Sequence, residues 1–177
     1  VCGIAGIFRL AAGAPPLDAA EMARVSAALA RRGPDGQGQW RSPSGRLALA
    51  HRRLAVLDPS PAGAQPMTSA DGRFTLVYNG EIYDYRERRE ELARAGVALR
   101  SASDTEVVLE RLARDGVRSL TGLRGMFALA LWDEVAGELL LARDFYGIKP
   151  LYYSVHGGVL RFASQVRALE AGGGLPL

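Results

Sequence analysis

Residues 125–143 read Gly125-Met126-Phe127-Ala128-Leu129-Ala130-Leu131-Trp132-Asp133-Glu134-Val135-Ala136-Gly137-Glu138-Leu139-Leu140-Leu141-Ala142-Arg143. Two apolar runs, 125–132 and 138–143, flank a short acidic segment that ends in glycine. The runs are too short for a pair of helices, and their spacing predicts an antiparallel hairpin. A second hairpin is predicted over 150–155 and 159–163 around His156-Gly157-Gly158. Upstream, residues 73–78 alternate toward Asn79-Gly80, a strong turn signal, with 81–83 as a short return strand. Strands are also expected at 3–10, 37–41 and 46–50, and 53–57 reads as a short extended run. Met22, Val25 and Leu29 recur at helical spacing within 18–31, before Arg31-Arg32-Gly33-Pro34, which reads as a helix stop. Further helices are expected near 84–95, 104–114 and 164–170. Helices in the first half and antiparallel hairpins in the second favour an α+β fold over a doubly wound parallel sheet.

Composition narrows the function classes. The 177 residues include 22 basic and 19 acidic side chains, with 48% apolar residues, an ordinary globular balance. Acids and bases interleave, as in Glu87-Arg88-Arg89-Glu90-Glu91, so the net charge of +3 forms no basic stripe. Nucleic acid is therefore not an expected partner. No apolar run approaches the roughly 18 residues that span a bilayer, so neither is a membrane. The N-terminus carries no basic stretch before an apolar one, and the expected compartment is the cytosol. Cys2 is the one cysteine, which excludes an intramolecular disulfide. With His51 and His156 alone beside it, no structural zinc site is expected without carboxylates, and no metal site is assigned.

Five positions are candidates for chemistry. Cys2 is either a small apolar filler or, if residue 1 is removed, a terminal nucleophile. An α-amine has a pKa of about 7.7–8.0, so roughly a quarter to a third is free base near pH 7.5, and one residue then supplies both nucleophile and base. Val1 reads as the literal translation of a GTG start codon, which would specify Met and be removed. Asn79 and Gly80 are a turn or a two-donor oxyanion hole. Arg53 is a surface arginine or a bidentate carboxylate clamp. Ser103-Asp104-Thr105-Glu106 has the capping-box pattern, which makes Asp104 a first-turn acid or a site for an ammonium group. His51 is a hydrogen-bonded structural residue or, less in keeping with its surroundings, a base for Cys2.

In order along the chain stand Cys2-Gly3-Ile4-Ala5-Gly6-Ile7, Arg32-Gly33-Pro34-Asp35-Gly36, His51-Arg52-Arg53-Leu54 with Asp58, and Gln65-Pro66-Met67. Tyr78-Asn79-Gly80-Glu81-Ile82-Tyr83, Ser103-Asp104-Thr105-Glu106, Gly125-Met126-Phe127-Ala128 and Gly147-Ile148-Lys149-Pro150-Leu151-Tyr152-Tyr153 follow. Together they closely resemble the N-terminal glutaminase domain of glutamine-hydrolysing asparagine synthetases, which are class II, N-terminal-nucleophile glutamine amidotransferases. The resemblance implies a four-layer αββα sandwich of two antiparallel sheets. It implies Cys2 as nucleophile, Asn79 and Gly80 as the oxyanion hole, Arg53 on the α-carboxylate of L-glutamine and Asp104 on its α-ammonium. Leu54, Ala55, Val56, Leu57 and Glu81 would line the same pocket, partly through backbone groups.

The resemblance further implies an amidotransferase domain over 2–170, with 171–177 a linker or tail. It implies no cofactor for this half, ATP and Mg2+ being expected only in a synthetase domain or subunit, fused or separate, that uses the ammonia. The SGGxDS pyrophosphate loop of that synthetase domain does not occur in the sequence. A homodimer is an assembly it admits. Val1 stands for the expected Met, Asp84 for a usual Asn, Phe145 for a common Arg and Gln165 for a common Glu. None touches the implied glutamine contacts, and the last two lie where the family meets its second domain. Two rival readings accompany this one. They are a non-catalytic interaction module that keeps the fold, and an N-terminal-nucleophile hydrolase of another amide.

Overall fold

The 125–143 segment forms strands β6 (Gly125–Asp133) and β7 (Glu138–Arg143). Their turn is held by Asp133, whose Oδ1 accepts from Val135 N at 3.0 Å and Ala136 N at 3.1 Å, and by Gly137 at φ +67°. In this computed structural model, which describes residues 1–175, the remaining strands are β1 (Gly3–Arg9), β2 (Gly36–Arg41), β3 (Leu47–Arg53), β4 (Met67–Thr68), β5 (Phe74–Ile82), β8 (Tyr152–His156) and β9 (Val159–Ala163). Four helices accompany them: α1 (Ala19–Ala28), α2 (Tyr85–Arg94), α3 (Asp104–Asp115) and α4 (Val166–Gly172). One sheet runs β2-β3-β1-β9-β8 and the other β4-β5-β6-β7, with every pairing antiparallel.

Why β1 and β6 are apolar on both faces is evident from the packing. Alternate residues of a strand point to opposite sides. From β1, Ile4 and Phe8 meet Val77, Ala128, Ala130 and Trp132 of the other sheet. Ala5 and Ile7 point the other way, into clusters that contain Met22, Val25 and Leu29 of the α1 region and Ala168 and Leu169 of α4. From β6, Phe127, Leu129 and Leu131 join Val108, Leu109 and Leu112 of α3. Each fully buried side chain of this kind contributes about 1.5–3 kcal/mol. The layers are thus α1 and α4, first sheet, second sheet, α2 and α3: the αββα sandwich expected.

Several local expectations fail. Asn79-Gly80 is not a turn: both residues lie inside β5, opposite Ala128 and Phe127 of β6. Gly80 is needed there for space, because a Cβ would strike the Met126 carbonyl oxygen and the Tyr78 ring. Strand β3 ends at Arg53, so 54–57 is not extended but bends over the sheet edge. Helix α1 stops at Ala28, and a 3₁₀ turn covers Ala30–Arg32. Gly33 caps that turn, as the helix stop implies, but it is extended at φ −144° and is glycine because a Cβ would strike the Arg52–Arg53 backbone. Helix α4 continues to a buried Gly172, so residues 171 and 172 of the expected tail are helical, and 176–177 lie outside the described residues. Among the described residues, no helix is long and apolar enough to cross a membrane.

Candidate active site

The edge of the sandwich at the start of β1 opens into a cleft of about 210 Å³, below the size typical of drug-sized pockets. Cys2 precedes β1 there, half-buried and free. Its sulfur sits against one residue of the bend after β3: Leu54 N donates to Sγ at 3.4 Å, and Leu54 O lies 3.6 Å away. Arg32 Nε donates to Cys2 O at 2.9 Å, and Asp35 N donates to Arg53 O at 3.0 Å. The Arg32-Gly33-Pro34-Asp35 segment therefore braces the backbone on both sides of the sulfur.

Strand β5 supplies the facing wall. Asn79 is buried to 1% exposure, yet its Nδ2 has no hydrogen-bond partner among the described residues. Unpaired buried amide donors are rare, because they lose water without compensation. Gly80 and the exposed Glu81 follow it into the same cleft.

Helix α3 supplies the acid. Ser103 caps it, its Oγ accepting from Thr105 N at 3.1 Å. The reciprocal half of the expected capping box is not made. Glu106 instead accepts from Arg100 N at 2.9 Å and from Ser101 N and Ser101 Oγ at 2.7 Å. Asp104 opens the helix and is buried, its Oδ2 accepting from Tyr78 Oη at 3.0 Å and Ile82 N at 3.1 Å. Burial pushes its carboxyl above the usual range, with Glu81 adding to the effect and the Ile82 and Tyr78 hydrogen bonds opposing it. No cation of the protein pairs with it among the described residues. A bound ammonium group would relieve this cost.

Arg53, at the end of β3, faces the cleft with its guanidinium already oriented: Nη1 donates to Ser60 O at 2.9 Å and Nη2 to Asp58 O. Leu54, Val56 and Leu57 line the cleft, whereas Ala55 does not. The Ala55 amide turns away to Asp35 Oδ2 at 2.9 Å. His51 lies in β3, buried and outside the cleft lining, and among the described residues neither ring nitrogen makes a hydrogen bond of full geometry. Its place outside the cleft lining leaves it in no position to act as a base for Cys2. Burial pushes its pKa down to about 4, with the Tyr78 backbone opposing and Arg53 adding, so it is neutral near pH 7.

The cleft also contains residues to which sequence reasoning gave no role in the site. Asp58, Gln65, Tyr78, Thr105 and Lys149 all contribute to its wall, as does the helix cap Ser103. Gln65 joins two elements, accepting from Tyr78 N at 2.6 Å and donating to Thr105 Oγ1 at 3.2 Å. Lys149, the single lysine, follows a turn in which Asp144 accepts from the backbone N–H groups of Phe127, Tyr146, Ile148 and Lys149. Both residues stand in motifs quoted above, and that was the available signal. Among the described residues, no group of three or more His, Cys, Asp or Glu side chains is placed to hold a metal ion.

Amidase chry2 of Gibberella zeae is 41% identical, the match covering 82% of this chain and 22% of that protein. Asparagine synthetase [glutamine-hydrolyzing] 1 of Bacillus subtilis is 35% identical over 96% of this chain and 26% of its own length. A putative glutamine-hydrolysing asparagine synthetase of Mycobacterium tuberculosis is 37% identical over 96% of this chain and 28% of its own. The chain thus spans 22–28% of the length of these curated relatives. Among solved structures, glutamine phosphoribosylpyrophosphate amidotransferase of B. subtilis superposes with a TM-score of 0.83 at 22% identity, covering 97% of this chain and 44% of that one. That likeness shows that the two chains share the sandwich fold. The sequence pattern of the glutamine amidotransferase domain matches residues 1–176, and the chain belongs to that family.

Proposed function

We propose that the chain hydrolyses L-glutamine to glutamate and ammonia through a γ-glutamyl thioester on Cys2. The observation that carries this reading is the unpartnered Asn79 Nδ2, buried in the wall of the cleft that also holds Cys2 and Asp104. A donor without a partner in the resting protein is suited to a charge that appears only during reaction.

Val1 precedes Cys2, so the amine mechanism requires that the Val1–Cys2 peptide bond be cleaved first. The freed α-amine of Cys2 then takes the thiol proton, and the thiolate attacks the δ-carbonyl carbon of glutamine. The oxyanion is held by Asn79 Nδ2 and Gly80 N–H. The α-ammonium returns its proton to the leaving nitrogen, the C–N bond breaks and ammonia departs. Water, deprotonated by the same amine, attacks the thioester, and glutamate leaves as the thiol is restored. Arg53 grips the substrate α-carboxylate and Asp104 its α-ammonium. Leu54, Val56, Leu57 and Glu81 shape the rest of the pocket.

No metal or organic cofactor enters these steps. The names of the asparagine synthetase relatives support a synthetase domain or subunit, fused or separate, as consumer of the ammonia, and ATP and Mg2+ are assigned to that partner as part of the same proposal. A cytosolic location and a domain over 2–170 belong to the same reading. Glutamate release from L-glutamine, measured beside Cys2→Ala and Asn79→Ala, tests it. Release is expected to vanish in the first and to fall about 10²–10³-fold in kcat in the second.

A further inference from the structure

Asp58 bonds to Arg53 at one charged end of the cleft and to the segment that leads into Asp104 at the other. Its backbone carbonyl accepts from Arg53 Nη2, and the Ser60 carbonyl accepts from Arg53 Nη1 at 2.9 Å. The turn that presents these two carbonyls is closed by the Asp58 carboxylate, whose Oδ1 accepts from Ser60 N at 2.9 Å. Its other oxygen, Oδ2, reaches 44 residues along the chain and accepts from Ala102 N at 2.9 Å. Ala102 stands one residue before the Ser103 cap and two before Asp104. One carboxylate thus ties the loop that orients Arg53 to the backbone that presents Asp104. It is 8% exposed, and hydrogen bonds from the Ser60 side chain and the Ala102 N–H hold its carboxyl below the usual carboxylate range.

We propose that Asp58 is a positioning residue that sets the separation between Arg53 and Asp104, and so fits the cleft to a carboxylate and an ammonium borne on one carbon. The inference rests on the amino-acid-binding reading above. An α-amino acid carries its two charges at a fixed spacing, and both can be gripped at once only if the protein fixes the same spacing to a fraction of an ångström. Without Asp58, Arg53 and Asp104 would ride on independent segments, the 54–60 bend and the 100–103 lead into α3. Asparagine at 58 keeps one acceptor and turns an NH2 group toward an N–H donor, so one of the two ties is lost.

The test is a heat titration of L-glutamine into Cys2→Ala protein, with and without Asp58→Asn, and again with Asp104→Asn in each background. Steady-state kinetics of Asp58→Asn with Cys2 intact accompanies it. Asp58→Asn is expected to weaken glutamine binding at least about tenfold and to raise KM in step, with kcat within about twofold, because Cys2, Asn79 and Gly80 are untouched. In the Asp104→Asn background it should weaken binding by less than about twofold, since the spacing it sets matters only while both charged ends are gripped. A purely structural lesion would lower kcat as well and would weaken binding equally in both backgrounds, and either result overturns the proposal. Unchanged affinity in Asp58→Asn overturns it while leaving the glutamine reading intact. No binding by Cys2→Ala protein alone would overturn that reading and the inference with it.

Discussion

A buried N–H without a partner costs about 1–3 kcal/mol, and Asn79 bears that cost in a cleft wall where no packing need explains it. The cost becomes useful if an oxyanion forms there. Asn79→Ala is therefore expected to lower kcat far more than it raises KM, and comparable losses in both would contradict the assignment. Asp104 makes a second residue-scale prediction. Asp104→Asn should weaken glutamine binding by roughly 1.5–3 kcal/mol, about 10- to 150-fold in KM, with kcat at saturation little changed. Its pH dependence follows from the upward shift. The carboxyl must be ionised to hold an ammonium group, so KM should rise as pH falls through a pKa above the ordinary aspartate value. The rise should be absent in Asp104→Asn, as KM-against-pH profiles of the two proteins would show.

Elements decide which groups can meet. Strand β5 carries Asn79 and Gly80 into the cleft only because it continues past the point where Asn-Gly looks like a turn, and β6 pairs it as far as Gly125. Asn-Gly is a turn signal when the chain is free to reverse. Here a nine-residue ladder overrides that preference. Apolar patterning, by contrast, located β1, β6, β7, β9 and α1, because those elements bury their faces against a neighbour. Cys2, Arg53, Asn79, Gly80 and Asp104 were legible as a set only through the motifs they belong to. Asp58 and Gln65 were quoted there without a role, since bonds to Ala102 N and Tyr78 N are long-range contacts that no local pattern encodes. Ala55 illustrates the opposite error: its position in the motif suggested the pocket, but the bend after β3 turns it toward Asp35. At this scale Ser103→Ala should remove the α3 cap and cost about 0.5–2 kcal/mol in urea unfolding, with a rise in KM because Asp104 begins the same helix turn.

At the scale of the whole molecule, the sandwich places its site at one edge of the two sheets, where the first strand begins. His51, buried in β3 beneath that edge, links the fold to pH. Its folded pKa of about 4 lies below the ordinary 6.5, so between these values the unfolded chain binds the extra proton. The stability associated with neutral His51 is fully present above pH ~6.5 and is lost as pH falls through the folded pKa, by up to about 3 kcal/mol. Urea midpoints followed from pH 7 to pH 4 should drop less in His51→Leu than in the natural sequence. Equal drops would show that His51 is not the group responsible. The most direct test of the central claim is glutamate release from L-glutamine by the polypeptide beginning at Cys2, with intact mass confirming removal of Val1, beside the same polypeptide carrying Cys2→Ala. Release by the first and none above the uncatalysed rate by the second is the predicted result; release that survives Cys2→Ala would contradict it.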